Sequence, residues 1–389
     1  MKLLLLQSGL GTGGTEKIVS MIAAHRVQVG DDVHIAAMTC PRTGSYFDIP
    51  DEVSQHVLDP KTTPRLRRRG SVAALRRARA IRKLIRQEKP DLIISFLTKI
   101  NVLTLLATIG TGIPVLVSER NNPLAQTANP IWHFAQNLLM RRATGIIMQT
   151  DRARADLPLR VRKRARIIAN PCAPHKGLKK THGTPGEVRF AAVGRLTKQK
   201  GFDLLLQAIA PLKDKLPHFS VTIHGEGQAR KALEAQRSEL GLEGIVHLPG
   251  ASETPGAWLE TADVLILSSR FEGFPNVVAE AVVNGLPVVA YDCSYGPREI
   301  VADGLNGVLV QNGDVAQLSK AIERLATCAD LRQSLGSHAD WLRERLAPRR
   351  IMLDWDGAIS AAMRSAPDGI QDKKRQSVQT KLSKEDGRS

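Results

Sequence analysis

Residues 269–290 read "SRFEGFPNVVAEAVVNGLPVVA". A strand expected at 263–267, with the apolar run "VLIL" in it, precedes them, so the order is strand, loop, helix, strand. That order is the repeating step of a parallel α/β sheet. Pro275 suits the first helical position, because its missing N–H would be unpaired there anyway. The amides of Asn276 and Val277 would then point out of the helix with its dipole behind them, a seat for a sugar diphosphate. Glu272, in the loop before the helix, is placed to meet sugar hydroxyls. Glu280, two turns inside, is placed to accept both hydroxyls of a ribose. A helix with one N-terminal acid and one surface glutamate has the same spacing, so the rest of the chain has to decide.

Working outward, short apolar runs at 2–6, 33–38, 91–96, 113–118 and 145–149 alternate with helical patterns. The aperiodic stretch "PCAPHKGLKKTHGTPGE" at 171–187 reads as a linker. After it the rhythm restarts, with strands expected at 188–193, 219–224, 244–248, 263–267, 287–290 and 307–310. Helices follow at 314–327 and about 329–345, and Pro348 opens a last one. The expectation is two doubly wound α/β domains, 1–174 and 175–347, with a closing helix at 348–363. Residues 367–389, polar and aperiodic, read as a disordered basic tail. Ligands of such sheets bind at the carboxyl ends of the strands, here in the cleft between the domains.

The chain has 389 residues, enough for two domains each with its own core. Its four cysteines, Cys40, Cys172, Cys293 and Cys328, show no metal-ligand spacing, which suits a reduced cytoplasmic protein. The start "MKLLLLQSG" is too short for a signal-peptide core and reads as a buried strand. The longest uncharged run, 101–117, is broken by Gly110, Gly112 and Pro114, so no membrane span is expected. The net charge of +17 is the unusual quantity. Residues 61–89 hold twelve Lys/Arg against one Glu, and "RVRKRAR" at 160–166 adds five more cations. Such a field attracts nucleic acid, anionic lipid or phosphorylated substrates. Aromatics are only 4% of the chain and absent from 61–89, which argues against single-stranded nucleic acid.

Two further loops carry chemistry. "SGLGTGGTEK" at 8–17 follows the first strand and opens a helix, with Gly13 and Gly14 permitting close backbone approach and Thr15 a fair N-cap. A plain tight turn fits it as well. It lacks the G-x-G-x-x-G spacing, and no acidic residue stands at a strand end about 20 residues on to hold a ribose, so a nicotinamide site is disfavoured. "VGRLTKQKGFDLLLQAI" at 193–209 places Arg195 and Lys200 around a loop before a helix, where two cations could neutralise a diphosphate.

Taken together, "GGTE", "GRLTKQKG", "HGEGQ" and "SRFEGFPNVVAEAVVNGLPVV", in that order, resemble the retaining glycosyltransferases of family 4. The resemblance covers nearly all of the chain except the last ~25 residues and points to bacterial surface or exported polysaccharides. It implies the GT-B architecture: two Rossmann-like domains facing across a deep cleft, with a C-terminal helix crossing back to the first. It implies that Arg195 and Lys200 bind the donor diphosphate and Glu280 the ribose, while Glu272, Gly273, Phe274, Asn276 and Val277 face the transferred sugar and its phosphates. Gly13 and Gly14 would close over the phosphates, and loops near Gly225–Gly227 and Leu248–Gly250 would read the base, UDP being favoured. No metal and no cofactor are expected, the nucleotide-sugar being a substrate. Many members carry His-Asp where this chain reads "VSERNNP" (117–123), which leaves Glu119 or Arg120 as candidates for that contact.

On a helix at about 71–88, Arg76, Arg79, Lys83 and Arg86 share one face, while Ala74, Ala78, Ile81 and Ile85 share the other. A cationic ridge there suits anionic headgroups or the diphosphate of a polyprenyl-linked acceptor, and so a peripheral place on the inner face of the plasma membrane. A solvated basic helix would look the same. A sugar-nucleotide epimerase or phosphorylase on the same architecture, and more distantly a nucleic-acid-binding protein, are the competing readings.

Overall fold

The computed structural model describes residues 1–11, 13–41, 44–58, 71–120, 130–178, 181, 186–216, 218–252, 254 and 256–365. The expected tail at 367–389, the middle of the expected linker and Asn121 lie outside them.

The first domain is a seven-stranded sheet, every pairing parallel: β1 (Lys2–Gly9), β2 (Asp32–Thr39), β3 (Ser54–Val57), β4 (Leu92–Phe96), β5 (Val115–Ser118), β6 (Gly145–Met148) and β7 (Ala165–Ile167), in the order β3-β2-β1-β4-β5-β6-β7. Central strands covered on both faces need unbroken apolar sequence, and "LLLL" in β1 and "LIISF" in β4 are fully buried. The sequence pattern missed the strands at both edges, β3 and β7. "SQHV" is mostly exposed and "ARI" is three residues inside a basic run, so neither carries an apolar signature. Helices α1 (Gly14–Gln28), α2 (Ser71–Glu88), α3 (Thr98–Ala107) and α4 (Pro130–Leu139) belong to this domain.

The second sheet comprises β8 (Val188–Val193), β9 (Phe219–His224), β10 (Val246–Gly250), β11 (Val264–Leu267), β12 (Val288–Tyr291) and β13 (Gly307–Val310), again all parallel, in the order β10-β9-β8-β11-β12-β13. All six expected strands are present. The helix Val315–Thr327 starts where Asp314 caps it, Oδ1 accepting the Gln317 N–H at 2.9 Å. The single helix expected at 329–345 is two, Ala329–Gly336 and Asp340–Arg345. The chain turns at Gly336, where a Cβ would lie 2.5 Å from the Gly285 carbonyl oxygen.

Two compact units result. The first holds Met1–Met148, Arg154–Ile168 and the described residues from Met352 on, and the second holds Gln149–Ala153 and Ala169–Ile351. The segment at 169–175 packs on the second unit through Cys172 N–H to the Leu346 carbonyl (2.8 Å) and His175 N–H to Asn284 Oδ1 (2.9 Å). The closing helix, Pro348–Arg364, begins in the second unit and continues in the first. There Trp355 is wholly buried beside Phe96, and Asp356 takes hydrogen bonds from Arg26 (2.6 Å) and His25 (2.8 Å). All four cysteines are free, and no described helix is long and apolar enough to cross a membrane.

Candidate active site

In the second sheet the winding direction reverses between β8 and β11, and loops leaving the carboxyl ends of those strands diverge there. The loop after β8 carries Arg195 and Lys200, and the loop after β11 carries Glu272. Lys200 Nζ lies 2.7 Å from Glu272 Oε1, joining residues 72 apart in sequence. Glu272 is 5% exposed and also accepts the Ser269 hydroxyl at 2.6 Å. A carboxylate taken out of water needs such partners to remain ionised. Arg195 is exposed, and its guanidinium makes no hydrogen bond or ion pair among the described residues. One cation is thus held in place and the other is free to receive an anion.

The two loops are laced together beneath that pair. Arg270 forks onto Asp203, both contacts at 2.7 Å, and donates to the Lys198 carbonyl. The fork holds the Asp203 carboxyl below the usual aspartate range. The Arg270 N–H donates to the Gln199 carbonyl, Gln199 Nε2 to the Phe271 carbonyl, and the Ser268 hydroxyl to the Lys200 carbonyl. Residues on both sides of the ion pair are therefore preorganised. The loop after β9 joins the same group. Gly225 N–H donates to the Gly250 carbonyl, and Leu196 N–H to the Glu226 carbonyl. A Cβ at Gly225 would lie 1.9 Å from the Gly194 carbonyl oxygen, and one at Gly227 2.4 Å from that of Leu196. Glycine is required at both because backbone meets backbone. Arg230 braces this loop through the Gly225 and Leu248 carbonyls.

The helix after Glu272 spans Asn276–Val283, so Pro275 is its N-cap rather than its first residue. The Asn276 N–H is not open as expected. It turns back to the Phe274 carbonyl at 3.0 Å, while the Val277 N–H meets no acceptor among the described residues. The Asn276 side chain accepts from Asn170 at 2.7 Å, a partner no local spacing announces. Phe274 is buried, Gly273 is half-buried, and Glu280 stands half-buried two turns along the helix. Close by, burial and then the Glu272 charge push the Cys293 thiol up to about 12, which disfavours its thiolate.

In the first domain the N-cap of α1 is Gly13, not Thr15, and both Gly13 and Gly14 are exposed. Glu119 and Arg120 follow β5 but do not stand open. Glu119 is 2% exposed and accepts from Thr98 and Gln136, both at 2.8 Å. Arg120 donates to the Ser118 hydroxyl at 2.9 Å and lies over the rings of Phe96 (5.7 Å) and Trp355 (5.5 Å). Burial pushes its guanidinium down to about 9, against the pull of Glu119. As placed here, both side chains are built into the interior of their domain. On α2, Arg76, Arg79, Lys83 and Arg86 are all exposed, and Ala78, Ile81 and Ile85 are buried. The expected division of faces is present.

Residues 13–173 match the model of a glycosyl transferase 4-like domain, and residues 178–340 that of the glycosyl transferases group 1. An uncharacterized glycosyltransferase of Methanocaldococcus jannaschii is 29% identical over 256 residues, covering 60% of this chain and 63% of that protein. The GalNAc-alpha-(1->4)-GalNAc-alpha-(1->3)-diNAcBac-PP-undecaprenol alpha-1,4-N-acetyl-D-galactosaminyltransferase of Campylobacter jejuni is 29% identical over 263 residues, 67% of this chain and 72% of that protein. Among solved structures, Anabaena HepE in complex with UDP and glucose shares the fold. Its TM-score is 0.76 at 21% identity, covering 92% of this chain and 99% of HepE. With a 4-like domain followed by a group 1 domain on two parallel sheets, the chain belongs to the family 4-type glycosyltransferases of GT-B architecture.

Proposed function

We propose that this protein moves a sugar from a UDP-sugar to a glycan acceptor carried on a polyprenyl diphosphate, with retention and without a metal ion or cofactor. One observation carries the reading: Lys200 and Glu272 meet at the switch point of the second sheet, and the loop that carries Lys200 also carries Arg195, whose guanidinium has no partner among the described residues. Arg195 forks onto the diphosphate and Lys200 supplies a point charge, with the Val277 N–H as a third donor. Glu272 receives hydroxyls of the transferred sugar, and Glu280 those of the ribose. As the bond to the diphosphate lengthens, charge builds on the leaving oxygen, where the fixed cations act. The acceptor hydroxyl attacks from the same face and passes its proton to that leaving phosphate. Paired carboxylates flanking the bond, the plan of glycoside hydrolysis, are not needed. The choice of uridine and of a lipid-linked acceptor is supported by the UDP bound to HepE and by the undecaprenol-linked glycan named for the Campylobacter jejuni relative.

Mass spectrometry of products formed from a panel of nucleotide-sugars with a polyprenyl-diphosphate sugar acceptor tests this. The expected product is the acceptor lengthened by one sugar. An isomerised nucleotide-sugar or a free sugar phosphate as the main product would sink the proposal.

Glu280→Ala is expected to weaken donor binding by roughly 1.5–3 kcal/mol, the worth of a charge-assisted acceptor. Donor affinity by calorimetry within twofold of wild type would remove the ribose role. Turnover is expected to persist in EDTA, because cations and amides of the chain already carry the diphosphate. Activity lost to the chelator and restored by Mg²⁺ or Mn²⁺ would assign the diphosphate to a metal instead.

A further inference from the structure

At the far end of the first sheet, three residues from separate elements converge. Ala36 of β2 is the register partner of His56 of β3, so His34 and His56 lie on one face of adjacent strands. Glu88, the last residue of α2, reaches the same place. His34 Nδ1 lies 2.9 Å from His56 Nε2 and 3.6 Å from Glu88 Oε2. One ligand atom from each of the three lies within 4.8 Å of the others. The second ring nitrogen of His34, Nε2, sits 3.1 Å from Asp32 Oδ1. An ionised carboxylate only accepts, so Nε2–H donates to it and Nδ1 of the neutral ring is left with its lone pair. This carboxylate–imidazole arrangement is the one that orients metal-binding histidines. The Nδ1 lone pair then faces a carboxylate oxygen, two electron-rich atoms that a cation between them would reconcile. Lys2 neutralises part of the carboxylate charge, its ammonium lying 3.4 Å from Glu88 and 3.3 Å from Asp32.

We propose that His34 Nδ1, His56 Nε2 and the Glu88 carboxylate hold a divalent transition-metal ion, Zn²⁺ by the chemistry of the set, with water as the fourth ligand. Two imidazoles and one carboxylate are a zinc donor set with an open position. Ligand nitrogens about 2.0–2.1 Å from a tetrahedral ion stand about 3.3 Å apart, so the imidazole pair opens by only a few tenths of an ångström. His34 lies five positions before the end of β2, or about 17 Å along the strand from its carboxyl end. The ion would therefore staple the short edge strand β3 and the end of the basic helix α2 to the sheet, apart from the carboxyl end of β2.

The test uses the full chain stripped with a chelator and then dialysed, with Co²⁺ as a coloured stand-in and Zn²⁺ as the ion. Saturable visible absorption with Co²⁺, a Zn²⁺-dependent rise in Tm, and slower amide exchange in β3 are expected. His56→Ala should weaken Co²⁺ binding by more than the roughly 10- to 100-fold that an outer partner costs, and Asp32→Asn should fall within that range. Lys2→Gln keeps every ligand, removes the competing ammonium, and should tighten binding. No saturable absorption in the wild type, or equal affinity in a folded His56→Ala, would overturn the proposal and leave an imidazole pair sharing a proton. None of these readouts uses glycosyl transfer, so they stand apart from the donor-site reading.

Discussion

Lys200→Ala is expected to lower turnover by about 10²–10³-fold, the usual cost of one donor aimed at developing charge, with a much smaller change in donor affinity. Charge on the leaving diphosphate grows as the glycosidic bond breaks, so a fixed ammonium 2.7 Å from Glu272 is worth most in the transition state. Arg195 remains to bind the ground state. The same change leaves the buried Glu272 with the Ser269 hydroxyl but no cation, which is costly for a carboxylate at 5% exposure. Thermal melting must accompany the kinetics for that reason. The double variant Lys200→Met with Glu272→Gln removes both charges and should recover much of the lost Tm without recovering turnover. Intact turnover with only KM raised would assign Lys200 to ground-state binding.

Neutralising the ridge on α2 is the other large effect. Arg76, Arg79, Lys83 and Arg86 all face solvent on a helix whose opposite side is packed. Glutamine at all four keeps helix propensity nearly unchanged, so folding should survive. Each cation near an anionic surface is worth roughly 1 kcal/mol, so four amount to about 4 kcal/mol, or close to 10³-fold in partition. The quadruple variant should leave anionic vesicles at physiological salt and use a lipid-linked acceptor poorly. Slow donor hydrolysis, which draws on residues of the other domain, should continue. A variant that still sediments with such vesicles and glycosylates the lipid-linked acceptor normally would reduce the ridge to a solvated face.

Much of this was legible in order along the chain. Strands covered on both faces are mostly apolar, so β1, β4, β8, β11 and β12 stand out, and the helical spacing of α2 separates its cations from its packed side. The resemblance added roles that spacing could not. The edge strands of the first sheet carry no such signature, because half their backbone faces water and nothing demands apolar side chains there, as β3 illustrates. The position of Pro275 was off by one because the missing N–H is harmless at either of two adjacent sites.

Contacts between distant segments belong to the tertiary structure alone. No local rule brings Lys200 to Glu272, Ser269 under that carboxylate, or Arg270 onto Asp203, since each depends on which strands are neighbours at the switch point. The interior commitment of Glu119 and Arg120 likewise comes from Thr98, Gln136, Phe96 and Trp355, which arrive from three other elements and a preceding strand. His34, His56 and Glu88 converge only because β3 docks beside β2 and α2 ends over that edge. The amino-acid pattern determined which segments are strand or helix and where glycine, cations and carboxylates stand along them. Strand order decided which of those groups meet, because burial drives each segment to pack but does not itself name the neighbour.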